Sequence, residues 1–103
     1  PYPVITRYSA RILAFAATQR LPAIGGVRQF AEEGGLLAYG SDFADGWRVA
    51  ASYVHKILNG AKPAELPVAQ PTKFELTINL RSARTLGLTV PQSLLLAANN
   101  VIR

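Results

Sequence analysis

An α/β fold, with alternating helices and a mainly parallel sheet, is predicted by three features of this sequence. The first is the segment Gly34 to Gly60, GGLLAYGSDFADGWRVAASYVHKILNG, where a short apolar run leads through a polar turn into a long amphipathic stretch. The second is an earlier strand and helix of the same kind between Leu21 and Glu33. The third is the alternation of Phe74, Leu76, Ile78 and Leu80 with Glu75, Thr77 and Asn79, which is the two-residue period of a strand. Two strand-helix units in succession favour a parallel layer.

Tyr8, Ile12, Phe15 and Ala16 recur at helical spacing, so Arg7 to Gln19 is expected to be one helix with an apolar stripe. Leu21 to Ile24 then reads as a strand ended by Gly25-Gly26. A short helix is expected from Val27 to Glu33, with Val27, Phe30 and Ala31 on one face and Gly34-Gly35 placed to stop it. Leu36, Leu37, Ala38 and Tyr39 form the apolar run of a buried strand. After the turn Gly40-Ser41-Asp42, the residues Phe43, Trp47, Ala50, Ala51, Val54, Ile57 and Leu58 recur at three and four up to Gly60. Ser41 or Asp42 supplies a capping oxygen for this helix. Gly46 within it costs roughly 1 kcal/mol against alanine. So large an apolar stripe is expected to bury itself against the sheet.

Beyond Gly60 the character changes. Pro63, Pro67 and Pro71 make the stretch from Ala61 to Thr72 an extended strap that cannot be a central strand throughout. The strand that begins at Phe74 is expected to have one face in a core and the other exposed. Asn79 caps a brief helix from Leu80 to Leu86, which Gly87 closes. Thr89 with Gln92 forms a capping box, and Leu94, Leu95, Ala98, Val101 and Ile102 are expected to stripe a final helix. There is no internal repeat.

Composition bounds the function classes. The chain has 103 residues, half of them hydrophobic, enough for one core and too few for two independent domains. It contains no run of about 18 apolar residues, and the opening PYPVITRYSARI lacks the apolar core of a secretory signal. The absence of cysteine excludes disulfides and thiolate chemistry. Methionine is absent too, so Pro1 is expected to mark a cut or an artificial boundary. The net charge of +5 invites a nucleic-acid reading, but the basic residues are spread along the chain without a run or aromatic interleaving. A solvated basic surface is the better account, and no nucleic-acid partner is expected.

No catalytic constellation emerges. His55, the only histidine, lies off the apolar stripe and has no second histidine or cysteine to complete a metal site. Glu32 and Glu33 are neighbours on a helix and point apart, so they form no acid-base dyad. Ser41 lacks the flanking glycines of a nucleophile elbow, and neither glycine pair has phosphate-loop spacing. We expect no enzyme, no metal and no cofactor. The polar turn Tyr39-Gly40-Ser41-Asp42 stands where solutes sit in open α/β sheets, beyond the carboxyl end of a strand, although such a join alone argues architecture and not function. Tyr39 can stack on or hydrogen-bond a solute, Gly40 permits close backbone approach, and Ser41 or Asp42 can bind a polar or amino group. The structural alternative places Tyr39 in the core and leaves Ser41 or Asp42 as a cap. The Gly25-Gly26 turn is a weaker second candidate.

Three pieces, GGLLAYGSDF, YVHKILNGAKPAELPVAQPTKFELTIN and ARTLGLTVPQSLL, in this order and spacing, carry a resemblance that covers most of the chain. Together they resemble the C-terminal portion of the ABC-transporter substrate-binding proteins. The chain departs from that pattern at Gly46-Trp47-Arg48, where a basic or aromatic pair is expected, and at His55, where an acid is expected. The resemblance implies a periplasmic-binding-protein-like fold of the first type, whose two lobes close around a solute such as an amino acid and deliver it to an ABC permease. It implies a periplasmic or other extracytoplasmic location, with the solute in the cleft between lobes. The chain would then be one α/β fragment, with helix-strand units of one lobe at 1–60, a Pro-rich connection at 61–73, and a terminal strand and helices at 74–103. A severed fragment of this kind would expose apolar surface and pair as a homodimer. The alternative function is a stand-alone α/β interaction domain without catalytic activity.

Overall fold

Helices and strands alternate along the computed structural model, which describes residues 3–103; the boundary expected at Pro1 lies outside them. The order is α1 (Pro3–Arg7), α2 (Ser9–Thr18), β1 (Ile24–Gly25), α3 (Arg28–Glu32), β2 (Leu37–Ser41), α4 (Phe43–Leu58), β3 (Phe74–Asn79), α5 (Leu80–Leu86), α6 (Gln92–Ala97) and β4 (Asn100–Ile102). The strands form one sheet in the order β1-β2-β3-β4. β1 and β2 are parallel with Ile24 opposite Leu37, and β3 and β4 are parallel with Ile78 opposite Val101. At the middle of the sheet, the Asn79 amide donates to the Leu36 carbonyl and the Asp42 amide to the Lys73 carbonyl, both at 2.9 Å. The start of β2 thus meets the end of β3, and these two strands run in opposite directions.

Local chemistry explains where the elements differ from expectation. The single helix expected from Arg7 to Gln19 is broken at Tyr8, whose backbone (φ −107°, ψ 13°) leaves the helical region between α1 and α2. At the other end of α2, Arg20 takes a left-handed φ of 56°, and the Leu21 amide turns back to the Ala16 carbonyl at 2.8 Å. With Leu21 engaged in closing the helix, the strand expected from Leu21 begins only at Ile24. The short helix and the strand around Leu37 form within two residues of their expected bounds.

Two larger corrections lie near the C-terminus. The final helix stops at Ala97, its N-cap position is Pro91 without a side-chain cap, and Asn100–Ile102 is a strand. The Asn99 amide donates to the Leu76 carbonyl at 2.9 Å, and the Asn99 side-chain oxygen accepts from the Leu76 amide at 2.8 Å. A helix through Ile102 would forfeit these bonds and the ladder to β3. In β3 itself the expected one-sided burial fails, because Thr77, Ile78 and Asn79 are buried in succession while Phe74 is exposed. Toward its carboxyl end β3 is buried on both faces.

The helix α5 follows its sequence closely. Asn79 accepts from the Arg81 and Ser82 amides at 3.0 and 3.1 Å, and Gly87 ends the helix at φ 71°.

The chain divides into two compact units: one runs to Gly40 and resumes over Glu75–Arg103, and the other is Ser41–Phe74. In the first, Leu13 and Ala16 of α2, Phe30 and Ala31 of α3, Ala38 of β2, Ile78 of β3 and Ala83 of α5 form the core. Asn79 joins it, donating from its side-chain Nδ2 to the Ala31 carbonyl at 2.8 Å.

The second unit has no buried residue. It consists of α4 and the Pro-rich strap, which contains one turn of 3-10 helix at Pro63–Glu65. Tyr53 Oη donates to the Pro67 carbonyl at 2.5 Å, and Lys73 pairs with Asp45 at 3.1 Å. The apolar stripe of α4 was expected to bury itself, yet none of its residues is buried and Trp47 is 74% exposed.

Candidate functional site

The carboxyl ends of β1 and β2 lie side by side, because the parallel register sets Gly25 opposite Ala38. This brings the two candidate segments of the sequence, Gly25-Gly26 and the turn that begins at Tyr39, to one edge of the sheet. Gly40 lies so close to the Gly26 carbonyl that a Cβ built on it would overlap that oxygen. No side chain fits at position 40 without moving backbone. Gly25 is equally constrained, since a Cβ there would strike the Phe30 ring. The glycines therefore serve close packing of strand against turn.

Tyr39 follows Ala38, which is 2% exposed, and by strand alternation points to the other face, where it is 60% exposed. It is not a core residue. In the second unit, Ser41 completes β2 and is half-buried. Asp42 caps α4: one carboxylate oxygen accepts from the Ala44 amide at 2.9 Å and the Asp45 amide at 3.2 Å. Its negative charge at a helix N-terminus is favourable there. Of the two roles weighed for Asp42, capping is the one its contacts display.

Glu32 and Glu33 of the first unit are held by structural partners. Arg28 pairs with Glu32 at 2.6 Å, which raises the guanidinium further above its ordinary value. Ser9 Oγ and Gln29 Nε2 each donate to Glu33 at 2.6 Å, and these bonds, the serine's foremost, lower the Glu33 carboxyl below its ordinary value. Ser9 is buried and was not singled out by sequence, for nothing local links it to a residue 24 positions on. His55 is exposed on α4 beside Asn59. No cluster that could hold a metal ion occurs among the described residues.

Among the described residues, two of the clefts lie against the first unit's sheet. One of about 460 Å³ lies at the starting ends of β1 and β2, between Leu36, Asn79, Arg20 and Arg81. The Arg81 Nε donates to the Arg103 carbonyl at 2.8 Å, and Arg20 reaches the Thr85 carbonyl at 3.5 Å. The other, of about 430 Å³, borders Gly25-Gly26 and is mainly apolar, with Ile5, Ile12, Ile24 and Phe30 in its wall.

Comparison with known proteins gives a consistent result. A family model described as ABC transporter substrate binding protein matches residues 2–102. A crystal structure of an ABC domain in complex with L-Trp from Streptococcus pneumonia superposes with a TM-score of 0.90 at 28% identity, covering 97% of this chain and 34% of that one. A conserved domain protein from Vibrio cholerae O1 biovar eltor superposes with a TM-score of 0.83 at 27% identity, covering 94% of this chain and 33% of that one. The chain thus spans about a third of the length of these solved relatives. No curated protein matches it.

Proposed function

Because the chain belongs to the family of ABC transporter substrate-binding proteins, we propose that it forms the C-terminal part of an extracytoplasmic protein that captures a small solute for an ABC importer. The solute is an amino acid or similar molecule, held in a cleft between the two lobes of the complete protein, and the delivery partner is the permease. The protein is non-catalytic in this reading. Among the described residues, no helix is long and apolar enough to cross a membrane.

The observation that carries the assignment of a site is the exposed Tyr39 at the carboxyl end of a parallel strand, directly before Gly40 and beside Gly25-Gly26. In open α/β sheets this is where ligands are held. Tyr39 offers a ring face to an apolar or aromatic group and a hydroxyl to a polar one. Gly40 lets backbone approach a solute, and Ser41 and Asp42 follow as polar groups. The related structure bound to L-Trp supports an amino acid as the solute class. Closure follows from the solute touching both lobes, since a ligand that contacts the closed arrangement better shifts the population toward it.

Calorimetric titration of the complete protein with amino acids, L-Trp included, tests the reading. We expect binding, and a Tyr39→Ala variant weakened about tenfold, equivalent to roughly 1.4 kcal/mol of lost aromatic contact. Failure of every amino acid to bind, or an unchanged affinity in Tyr39→Ala, would remove the assignment. Produced alone, the 103-residue chain is expected to bind no solute tightly and to pair with a second copy through its exposed apolar side chains.

A further inference from the structure

We infer that Asn59 is a site of spontaneous deamidation, placed where the last turn of α4 can open, and that the product loosens this end of the helix. The reaction is intramolecular. The Gly60 backbone nitrogen attacks the Asn59 side-chain carbonyl carbon and gives up its proton, and ammonia leaves with the side-chain nitrogen. Water then opens the five-membered imide at either carbonyl, giving aspartate from one cleavage and isoaspartate from the other. Glycine in the following position favours the attack, because without a Cβ its nitrogen is unshielded and its backbone turns freely. Among the asparagines of the chain, Asn59 alone precedes a glycine.

Asn59 is the C-cap residue of α4 and is exposed. Gly60 takes a left-handed φ of 103°, with its amide donating to the Ile57 carbonyl and the Ala61 amide to the Lys56 carbonyl, both at 3.0 Å. The Asn59 side-chain Nδ2 donates to the His55 carbonyl at 2.8 Å. Ring closure requires the Gly60 nitrogen and the Asn59 side chain to leave these acceptors. The bonds to be broken are those of the terminal turn, the part of a helix that opens at least cost.

The same helix carries a second pair with the atoms for this imide, Asp45-Gly46, and here the structure closes the route. An ionised carboxylate repels a nucleophile. That of Asp45, on a side chain only 18% exposed, lies 3.1 Å from Lys73 Nζ and 3.8 Å from Arg48 Nη1. The Gly46 amide donates to the Asp42 carbonyl at 3.1 Å, within the turn that the Asp42 side chain caps. Two similar dipeptides on one helix therefore differ in reactivity because of their surroundings.

Conversion acts on the helix directly. A carboxylate at position 59 cannot donate to the His55 carbonyl, and it puts negative charge at the C-terminal end of α4, where the helix dipole disfavours it. Isoaspartate also adds a carbon to the main chain, which moves Gly60 and Ala61 off the carbonyls they serve.

Incubation of the complete polypeptide in heavy-oxygen water at mildly alkaline pH, followed by peptide mapping in a mass spectrometer, tests the inference. Heavy oxygen should enter the peptide containing Asn59 and not the one containing Asp45. The folded protein should convert about tenfold more slowly than the protein in denaturant, since one turn must open. Asn59→Gln, whose ring closure is six-membered, should lose the product in both states. The converted protein should elute as a more acidic form and exchange the amides of Gly60 and Ala61 faster. A folded-state rate ~100-fold or more below that in denaturant would overturn the inference, because the turn would then be closed. Labelling of Asp45 as fast as Asn59, or unchanged amide exchange after conversion, would overturn it too.

Discussion

The two units of this chain are ordered by different means. Among the described residues, the first buries seven apolar side chains, Ile78 included, from three helices and two strands, and it also buries the polar residues Ser9, Thr77 and Asn79. The second has half-buried residues but no buried one: α4 is held by its cap, its own backbone bonds and a few tethers to the strap, such as Tyr53 to Pro67 and Asp45 to Lys73. Hydrophobic burial dominates stability, whereas an exposed ion pair contributes little. Disturbing the first unit should therefore unfold the protein, while disturbing the second should open it locally.

The largest effect is expected at Ile78, which is fully buried. Ile78→Ala should destabilise by about 3 kcal/mol in urea unfolding, through lost transfer energy and the cavity left behind. A loss below about 1 kcal/mol would mean that the first unit does not hold the structure. Next comes Asn79→Ala, which removes the cap of α5 and one of the two hydrogen bonds that the Ala31 carbonyl accepts, at roughly 2 kcal/mol.

Two opposed changes in the second unit sharpen the contrast. Asp42→Ala should cost about 1 kcal/mol, and Gly46→Ala should add about 1 kcal/mol, since a methyl at Gly46 meets no neighbour. Both should be read in the exchange of the α4 amides, with little change in the global unfolding midpoint. A global shift as large as that of Ile78→Ala would erase the distinction between the units.

The smallest effect is the pH dependence of Glu33. Its carboxyl titrates below its ordinary value in the folded protein, so the charged form is stabilised by folding. That contribution is present above the unfolded-state value and is lost as pH falls through the folded one. Glu33→Gln should flatten the acid limb of a stability-pH curve, and an unchanged limb would show that the Ser9 and Gln29 bonds do not bias its titration.

Signals carried within a few residues were legible. The start of α4 at Asp42, the start of α5 at Asn79 and its end at Gly87 are each set by one side chain or one glycine, and the sequence points to all three. The candidate edge was half legible. Tyr39 to Asp42 and Gly25-Gly26 each stood out, but their meeting at Gly26 and Gly40 depends on strand register, which no local pattern states. The last three strand residues were misassigned because Leu94, Leu95, Ala98, Val101 and Ile102 fit a helical period as well as anything else. The open edge of β3 decided the matter by offering Leu76 to Asn99.

By itself, then, the sequence determined the alternation of helix and strand and the residues that start and stop α4 and α5, because backbone sterics and capping act over three or four positions. The tertiary structure alone decided that Asn100–Ile102 is a strand, that Ile78 is buried on every side and that Tyr39 is exposed. Those outcomes depend on which distant segment supplies the neighbouring hydrogen bonds and apolar surface.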